Sequence, residues 1–481
     1  MIRHLLFLLA LCSYSSFPVL AQNSSKPNVI IFFMDDMGYG DIEPYGMTGL
    51  HTPNFNRLAA EGLRFTNFTV AQAVCTASRA ALLTGTYPNR LGLWGALGPG
   101  SKIALDPAEQ TIASMLKDNG YATAALGKWH LGSRAPYFPT HYGFDSFYGI
   151  PYSHDYWPVG YDGKRITDPG NARGKWPPLP VIDGDKYIGT IDNLQQQSNW
   201  TTTLTEKAVS FIKEKKDAPF FLYLAHPLPH VPLAVSDKFR NKSNLGIFGD
   251  VIMELDWSLG EILKILDDTN VAANTIIIVM SDNGPWVHFG DNAGSSGGFR
   301  EGKGTVFEGG TRVPCIMRWP GKLPAGNVTG ELMTSLDILP TLAEITGSKL
   351  PGKMIDGISF ASFIRKTGAP SPREIFYYYY NENSLKAVRY KHWKLVLPHT
   401  SASYEDGSPG KDGFPGSIAQ KEVKMALFDL SHDPGEEYDV QDLYPMIVKQ
   451  IQQYVSQARE DLGDDLTNTV GKNRRTPARL D

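Results

Sequence analysis

A chain of 481 residues with 42% apolar and 11% aromatic side chains can bury a large core, and it is too long for one minimal domain. A net charge of −4 supplies no overall basic field. That excludes nucleic acid as a general partner and leaves any anion to be held by a local cluster.

The first predicted element is an export signal. Arg3 and His4 precede an apolar run over 5–11, and Val19-Leu20-Ala21 has the small-x-small spacing a signal peptidase needs. The run is too short to span a bilayer. A signal peptide over 1–21 is therefore expected, with a mature chain from about Gln22, periplasmic or secreted and without stable membrane insertion. Its removal takes Cys12 and leaves Cys75 and Cys315. A disulfide between these two is open, although so large a chain does not need one. If Cys75 is chemically consumed, Cys315 is expected as a small apolar core residue.

Asn28–Met34 (NVIIFFM) is an unbroken apolar run of the kind a strand buried on both faces shows; Phe220–Ala225 (FFLYLA) and 275–280 (TIIIVM) are two more. Helical spacing marks 111–119, closed by Gly120, and also 205–216 and 249–268. Such alternation predicts an α/β fold, a large mixed and mostly parallel sheet with helices on both faces. After about residue 367 the texture changes. Ile375–Tyr380, 386–389 and 393–397 read as short antiparallel strands, followed by an amphipathic helix over 444–462. The expected organisation is a catalytic domain over 22–370 and a smaller C-terminal α+β domain over 371–481. Two Gly/Pro-rich stretches, 159–183 and 401–418, are too long for simple connections and are expected to be functional or disordered. The tail after Asp465 is expected to be mobile.

Chemistry gathers at the strand ends. The first strand runs into Asp35-Asp36 and the 275–280 strand into Ser281-Asp282-Asn283-Gly284, and ligands of α/β sheets collect outside the carboxyl ends of strands. Three carboxylates that close repel unless a cation sits among them, and all-oxygen ligands suit calcium or magnesium ahead of zinc. Either pair alone could equally be a turn. Cys75-Thr76-Ala77-Ser78-Arg79, running on to Gly85, reads as a short helix with Cys75 at its start and Arg79 on the same face, an arrangement that favours an anion. Lys128 and His130, two apart at what reads as a strand end, can face one pocket. His226 and His230 sit in a Pro-punctuated loop, so their spacing is not helical and a zinc pair is disfavoured.

CTASR followed by ALLTG resembles the signature of the type I, formylglycine-dependent sulfatases. The similarity continues through GKWHLG (127–132), GIPYSHD (149–155), PLPHVP (227–232), SDNG and GKGTVFEGGTRVP (302–314). Ala77 departs from a proline common in the family and leaves the maturation system open. The resemblance implies an alkaline-phosphatase-like fold and hydrolysis of sulfate esters. It implies that a maturation enzyme converts Cys75 to 3-oxoalanine (formylglycine), whose hydrate is the nucleophile. One calcium ion, ahead of magnesium, would be held by Asp35, Asp36, Asp282, Asn283 and residue 75. Arg79 would stabilise that centre, Lys128 would contact the sulfate, and His130 would act as base. His230 and Lys303 would contact the sulfate and protonate the leaving oxygen, with Ser153 a further substrate contact and His154 and Asp155 weaker ones. His51, Glu308 and Arg312 are given structural roles. Tyr156, Trp157 and Trp286, and the insertion over 156–200, suggest a sulfated polysaccharide or glycan as substrate. The rivals are a phosphate mono- or diester hydrolase of the same superfamily and a non-catalytic glycan-binding relative.

Overall fold

The computed structural model describes residues 26–366 and 368–480; the expected signal peptide lies outside the described residues. At the centre is a ten-stranded sheet. Its strands in chain order are β1 (Asn28–Met34), β2 (Leu63–Phe65), β3 (Ala122–Lys128), β4 (Ser146–Ile150), β5 (Leu179–Asp183), β6 (Lys186–Ile191), β7 (Phe220–Ala225), β8 (Thr275–Ser281), β9 (Cys315–Arg318) and β10 (Asn327–Thr329). They lie side by side as β10-β2-β9-β8-β1-β7-β3-β4-β5-β6. The five strands from β8 to β4 run parallel, and antiparallel pairings with β9 and β5 begin the two flanks.

β1 shows why its run is unbroken. Val29, Ile31 and Phe33 enter one core and Ile30, Phe32 and Met34 the other, because successive side chains alternate across a sheet. The helices that cover it are α1 (Pro53–Glu61), α2 (Cys75–Thr84), α3 (Ile112–Asp118), α4 (Trp200–Lys215), α5 (Gly246–Asp268) and α6 (Ile338–Thr346). The first core takes α2, α3 and α6; the second takes α1, α4 and α5. α3 starts on a reciprocal cap: Thr111 Oγ1 accepts from the Ser114 N–H at 3.2 Å, and Ser114 Oγ accepts from the Thr111 N–H at 2.9 Å. α4 begins earlier than the periodicity predicts, since Thr201 and Thr205 belong to its buried stripe along with Trp200 and Leu204.

A second sheet follows from β11 (Ile375–Tyr380), β12 (Ser384–Tyr390) and β13 (Trp393–Val396), then a separate hairpin of β14 (His399–Ser408) and β15 (Ser417–Val423), and β16 (Ala426–Asp429). β11, β12, β13 and β16 are neighbours, all antiparallel. α7 (Pro445–Leu462) buries Ile451, Val455, Ala458 and Leu462, a helical stripe whose larger members each contribute about 1.5–3 kcal/mol on full burial.

The long stretches resolve into structure, and the expectation for the tail needs correction. The stretch 401–418 is largely the β14–β15 hairpin and lines a cavity through Ala402, Tyr404 and Ile418, the functional side of what was expected. The stretch 159–183 ends in β5, paired on both sides. The tail after Asp465 is tied down as well: Thr469–Val470 pairs with Gly463–Asp464, and Ala478–Arg479 with Ile103–Ala104. Backbone hydrogen bonds hold it, and these leave no hydrophobic pattern to read.

A buried ion cluster ties the C-terminal sheet to the segment that precedes β9. Lys394 on β13 is fully buried, 3.0 Å from Glu308 and 2.8 Å from Glu436, and donates to the Val306 carbonyl at 2.8 Å. The Glu308 N–H donates to Glu436 at 2.6 Å. Burial alone would raise the Glu308 carboxyl, but Lys394, Arg389 and Arg312 bring it down to about 2.

Candidate active site

β8, β1, β7 and β3 are adjacent and parallel, so their carboxyl ends open at one edge. Asp282 and Asn283 follow β8, Asp35 and Asp36 follow β1, the loop to His230 follows β7, and Lys128 ends β3. Asp36 takes a left-handed backbone, with φ 65°, which Asp tolerates better than most residues. Gly284 is required where it stands, because any Cβ there would lie 1.8 Å from the Gly309 carbonyl oxygen.

Facing these ends is the start of α2. Val74 caps it without a side-chain hydrogen bond, so the positive end of the helix opens at Cys75. Arg79, one turn on, donates to Asp282 through Nε at 3.0 Å and Nη2 at 2.8 Å, and through Nη1 to the Lys128 carbonyl at 2.9 Å. Lys128 donates to Asp35 at 2.5 Å, and Lys303 to both oxygens of Asp36 at 2.7 and 2.8 Å. Cys75 Sγ and one oxygen each of Asp35 and Asp282 lie within 4.8 Å of one another, as do ligand atoms of Cys75, Asp36 and His230.

Residues 27–348 match the family described as Sulfatase, and residues 371–478 match the C-terminal region of aryl-sulfatase. The chain belongs to the sulfatase family. Arylsulfatase A of Homo sapiens is 37% identical over 433 residues, 86% of this chain and 83% of that one. N-acetylgalactosamine-6-sulfatase of Homo sapiens is 36% identical over 438 residues, covering 86% and 81%. The crystal structure of PsFucS1 sulfatase from Pseudoalteromonas sp. superposes with a TM-score of 0.80 at 30% identity, covering 91% of this chain and 92% of that one. The protein is thus an enzyme, a sulfuric ester hydrolase with the sulfatase fold.

The sulfatase centre is buried, and its three carboxylates face three cations, Arg79, Lys128 and Lys303. Burial would raise the Asp35 carboxyl, yet Lys128, His230, Arg79 and Lys303 hold it well below its usual range. Burial raises Asp36, with Asp35 adding to the effect, against Lys303. Burial and then the charge of Asp35 push Asp282 up to about 7. Arg79 approaches Asp35 Oδ1 to 3.4 Å without completing a hydrogen bond, and the buried Asn283 Oδ1 accepts none. Clustered carboxylates with leftover acceptor oxygens are a donor set that fits a hard cation.

The remaining residues named from the sequence border a cavity of about 390 Å³, lined by Cys75, His130, Ser153, Asp155, Tyr156, His230, Trp286 and Lys303. Lys128 and His130 reach the site differently from the strand-alternation argument. β3 ends at Lys128, and His130 sits beyond it with φ 64°, its two ring nitrogens buried without hydrogen-bond partners. Burial, with Lys128 and Arg79, keeps His130 neutral by lowering its pKa well below the usual value. His154 bonds the His230 carbonyl at 3.1 Å. His226 turns away to Ser258 at 3.1 Å, Trp157 is core, and His51 is an exposed partner of Glu43. Cys75 and Cys315 are both free, and Cys315 is buried.

Sequence reasoning marked 401–418 as functional or disordered but named no individual residue of the cavity's far wall. Tyr380, Asn381 and Lys386 come from β11, β12 and their turn, and Ala402, Tyr404, Ile418 and Gln420 from the hairpin. Tyr404 Oη donates to the Lys303 carbonyl at 2.5 Å. A further local signal was Lys386, a lysine between the apolar Leu385 and Ala387.

Proposed function

We propose that the enzyme removes sulfate from a sulfated carbohydrate, a sugar unit of a polysaccharide or glycan, with residue 75 as formylglycine and one calcium ion. The observation that carries this reading is the placement of Cys75, at the open start of α2 and within 4.8 Å of oxygens from the carboxylate cluster. Burial lifts the Cys75 thiol far above its usual range despite Lys128 and Lys303, so the unconverted side chain would be a protonated, poor nucleophile. Conversion by a separate maturation enzyme removes that handicap, and the hydrated aldehyde supplies the attacking hydroxyl. Asp35, Asp36, Asp282, Asn283 and residue 75 would hold the cation, which neutralises the carboxylates and polarises sulfuryl oxygens.

The chain's own side chains do the rest. His130, neutral and unpartnered, accepts a proton from residue 75. Arg79 fixes Asp282 and spreads positive charge behind the nucleophile, while Lys128 and Ser153 contact the sulfuryl oxygens. Asp36 keeps Lys303 charged against burial, so Lys303 carries a proton at rest. His230 donates through Nδ1 to the Val231 carbonyl at 2.5 Å, and burial together with Lys303 holds it neutral. An incoming sulfate ester sets negative charge beside it, and His230 with Lys303 then serves the leaving oxygen.

The carbohydrate class is supported by a relative named for a sulfated sugar and by the aromatic walls Tyr156, Trp286, Tyr380 and Tyr404. Catalytic and C-terminal domains over 22–370 and 371–481, and export through residues 1–21, belong to the same proposal. Among the described residues no helix is long and apolar enough to cross a membrane. The test is a mass spectrum of the tryptic peptide 65–79 from active enzyme made in its native host. An aldehyde or its hydrate at position 75 is expected; an unmodified thiol in active protein would refute the mechanism.

A further inference from the structure

We propose that Lys386, with Gln420 and Tyr380 beside it, forms a subsite for a second anionic group on the substrate, a sulfate or carboxylate on the same sugar or its neighbour. This rests on the sulfatase reading and extends it from the reacting ester to what is recognised around it.

Lys386 lies on β12, in the middle of the C-terminal sheet, flanked in sequence by the core residues Leu385 and Ala387. It is only 4% exposed and lines the active-site cavity. Its ammonium donates to the Thr400 carbonyl at 3.1 Å and stands 5.6 Å from the Tyr380 ring centroid. Among the described residues no carboxylate forms an ion pair with it. Lys394, on the neighbouring strand and buried more completely, meets Glu308 and Glu436. Burying an ammonium without a counter-charge is costly, so this position is stable chiefly when an anion enters the cavity. Burial lowers the lysine to about 8, which leaves most of it charged at neutral pH.

Lys386 lines the same cavity as Cys75 and Lys303. A Cβ on Gly304, next to Lys303, would lie 3.0 Å from Tyr380 Oη, so Tyr380 bridges the reacting end of the cavity and Lys386. The cavity, about 390 Å³, has room for a saccharide unit as well as the ester. Gln420 adds an amide from the hairpin at the same wall.

The test compares kcat/KM of the matured full-length enzyme on three substrates: a monosulfated sugar, the same sugar with a second sulfate, and the monosulfated sugar linked to a uronic acid. The wild type should prefer one anion-bearing substrate over the first by about tenfold or more, mainly through KM, as expected of a charge-assisted hydrogen bond. Which one it prefers decides between sulfate and carboxylate. Lys386→Met should bring that ratio close to one, and Lys386→Arg should retain much of it. If Lys386→Met does not fold, Lys386→Gln and the wild-type preference still decide. A wild type without preference, or a Lys386→Met that slows all three substrates equally, overturns the subsite. A wild type that cleaves no sulfate ester overturns the sulfatase reading itself.

Discussion

Two buried charge clusters in this enzyme are made from the same ingredients, each with one carboxylate held low and another raised, and they differ in the polar atoms left over. Beside β13, Lys394 donates to Glu308 and the Val306 carbonyl and pairs with Glu436; Glu308 is brought down to about 2, while burial raises Glu436. At the active site Arg79, Lys128 and Lys303 face Asp35, Asp36 and Asp282, yet Asp282 is pushed up to about 7. The Asn283 oxygen and both nitrogens of His130 are left without partners. The first cluster is nearly closed, leaving over Glu436 Oε1, which still stands 2.8 Å from Lys394. The second is open: Asp35 Oδ1, Asn283 Oδ1 and both His130 nitrogens are left over, and the cluster borders the cavity at Cys75 and His130. Burial alone does not separate structure from function here; the state of the last donors and acceptors does.

The largest expected effect breaks the open cluster. Cys75→Ala should lower kcat by about 10⁴-fold or more, as loss of a nucleophile does, with the thermal melt nearly unchanged because a small side chain is lost. Sulfate release and calorimetry on the same preparation check both halves. Retained activity after removal of contaminating sulfatase would end the assignment.

A change of the second size breaks the closed cluster. Glu308→Gln takes one charge from a buried pair and should cost about 3 kcal/mol of stability, read from urea denaturation. Turnover per folded molecule should fall far less than in Cys75→Ala. A variant that kept its stability and lost turnover would reverse the assignment of the two clusters.

How much of this was legible in the chain depends on what each feature rests on. β1, β7 and β8 announced themselves because strands covered on both faces need no polar alternation, and Asp35-Asp36 and Asp282-Asn283 followed at their ends. The start of α2 was readable from Cys75 through Gly85, where a left-handed glycine closes it. His130 was given a strand's alternation that it does not have, since a left-handed residue had to be seen to be known. The hairpin wall was hidden by its composition: His399, Ser401 and Ser403 point inward, so small polar residues stand where a hydrophobic alternation would have signalled a strand. The site's outer half is assembled by contacts between residues far apart in sequence, Tyr404 with Lys303 and Gly304 with Tyr380, which no local pattern encodes.

A last prediction separates one carboxylate of each cluster, because the pH dependences of Glu308 and Asp282 have opposite sign. Glu308 titrates at about 2 when folded against an ordinary 4.5, so between those values the unfolded chain binds more protons and stability rises with pH. Its contribution is present above 4.5 and is lost as pH falls through 2. Asp282 titrates at about 7 when folded against 3.8, so in that window the folded enzyme binds more protons and stability falls as pH rises. That contribution is complete below 3.8 and gone above 7. Each group can tilt stability by at most about 1.4 kcal/mol per pH unit. In chelator, urea midpoints should therefore climb through the acid window and decline toward neutrality. Glu308→Gln should flatten the climb and Asp282→Asn the decline. Calcium should cancel the decline in the wild type, because a cation at the open cluster favours the ionised carboxylate, and it should do so better than zinc. If calcium left the decline in place, or if Asp282→Asn kept it, the open cluster would not be the metal site.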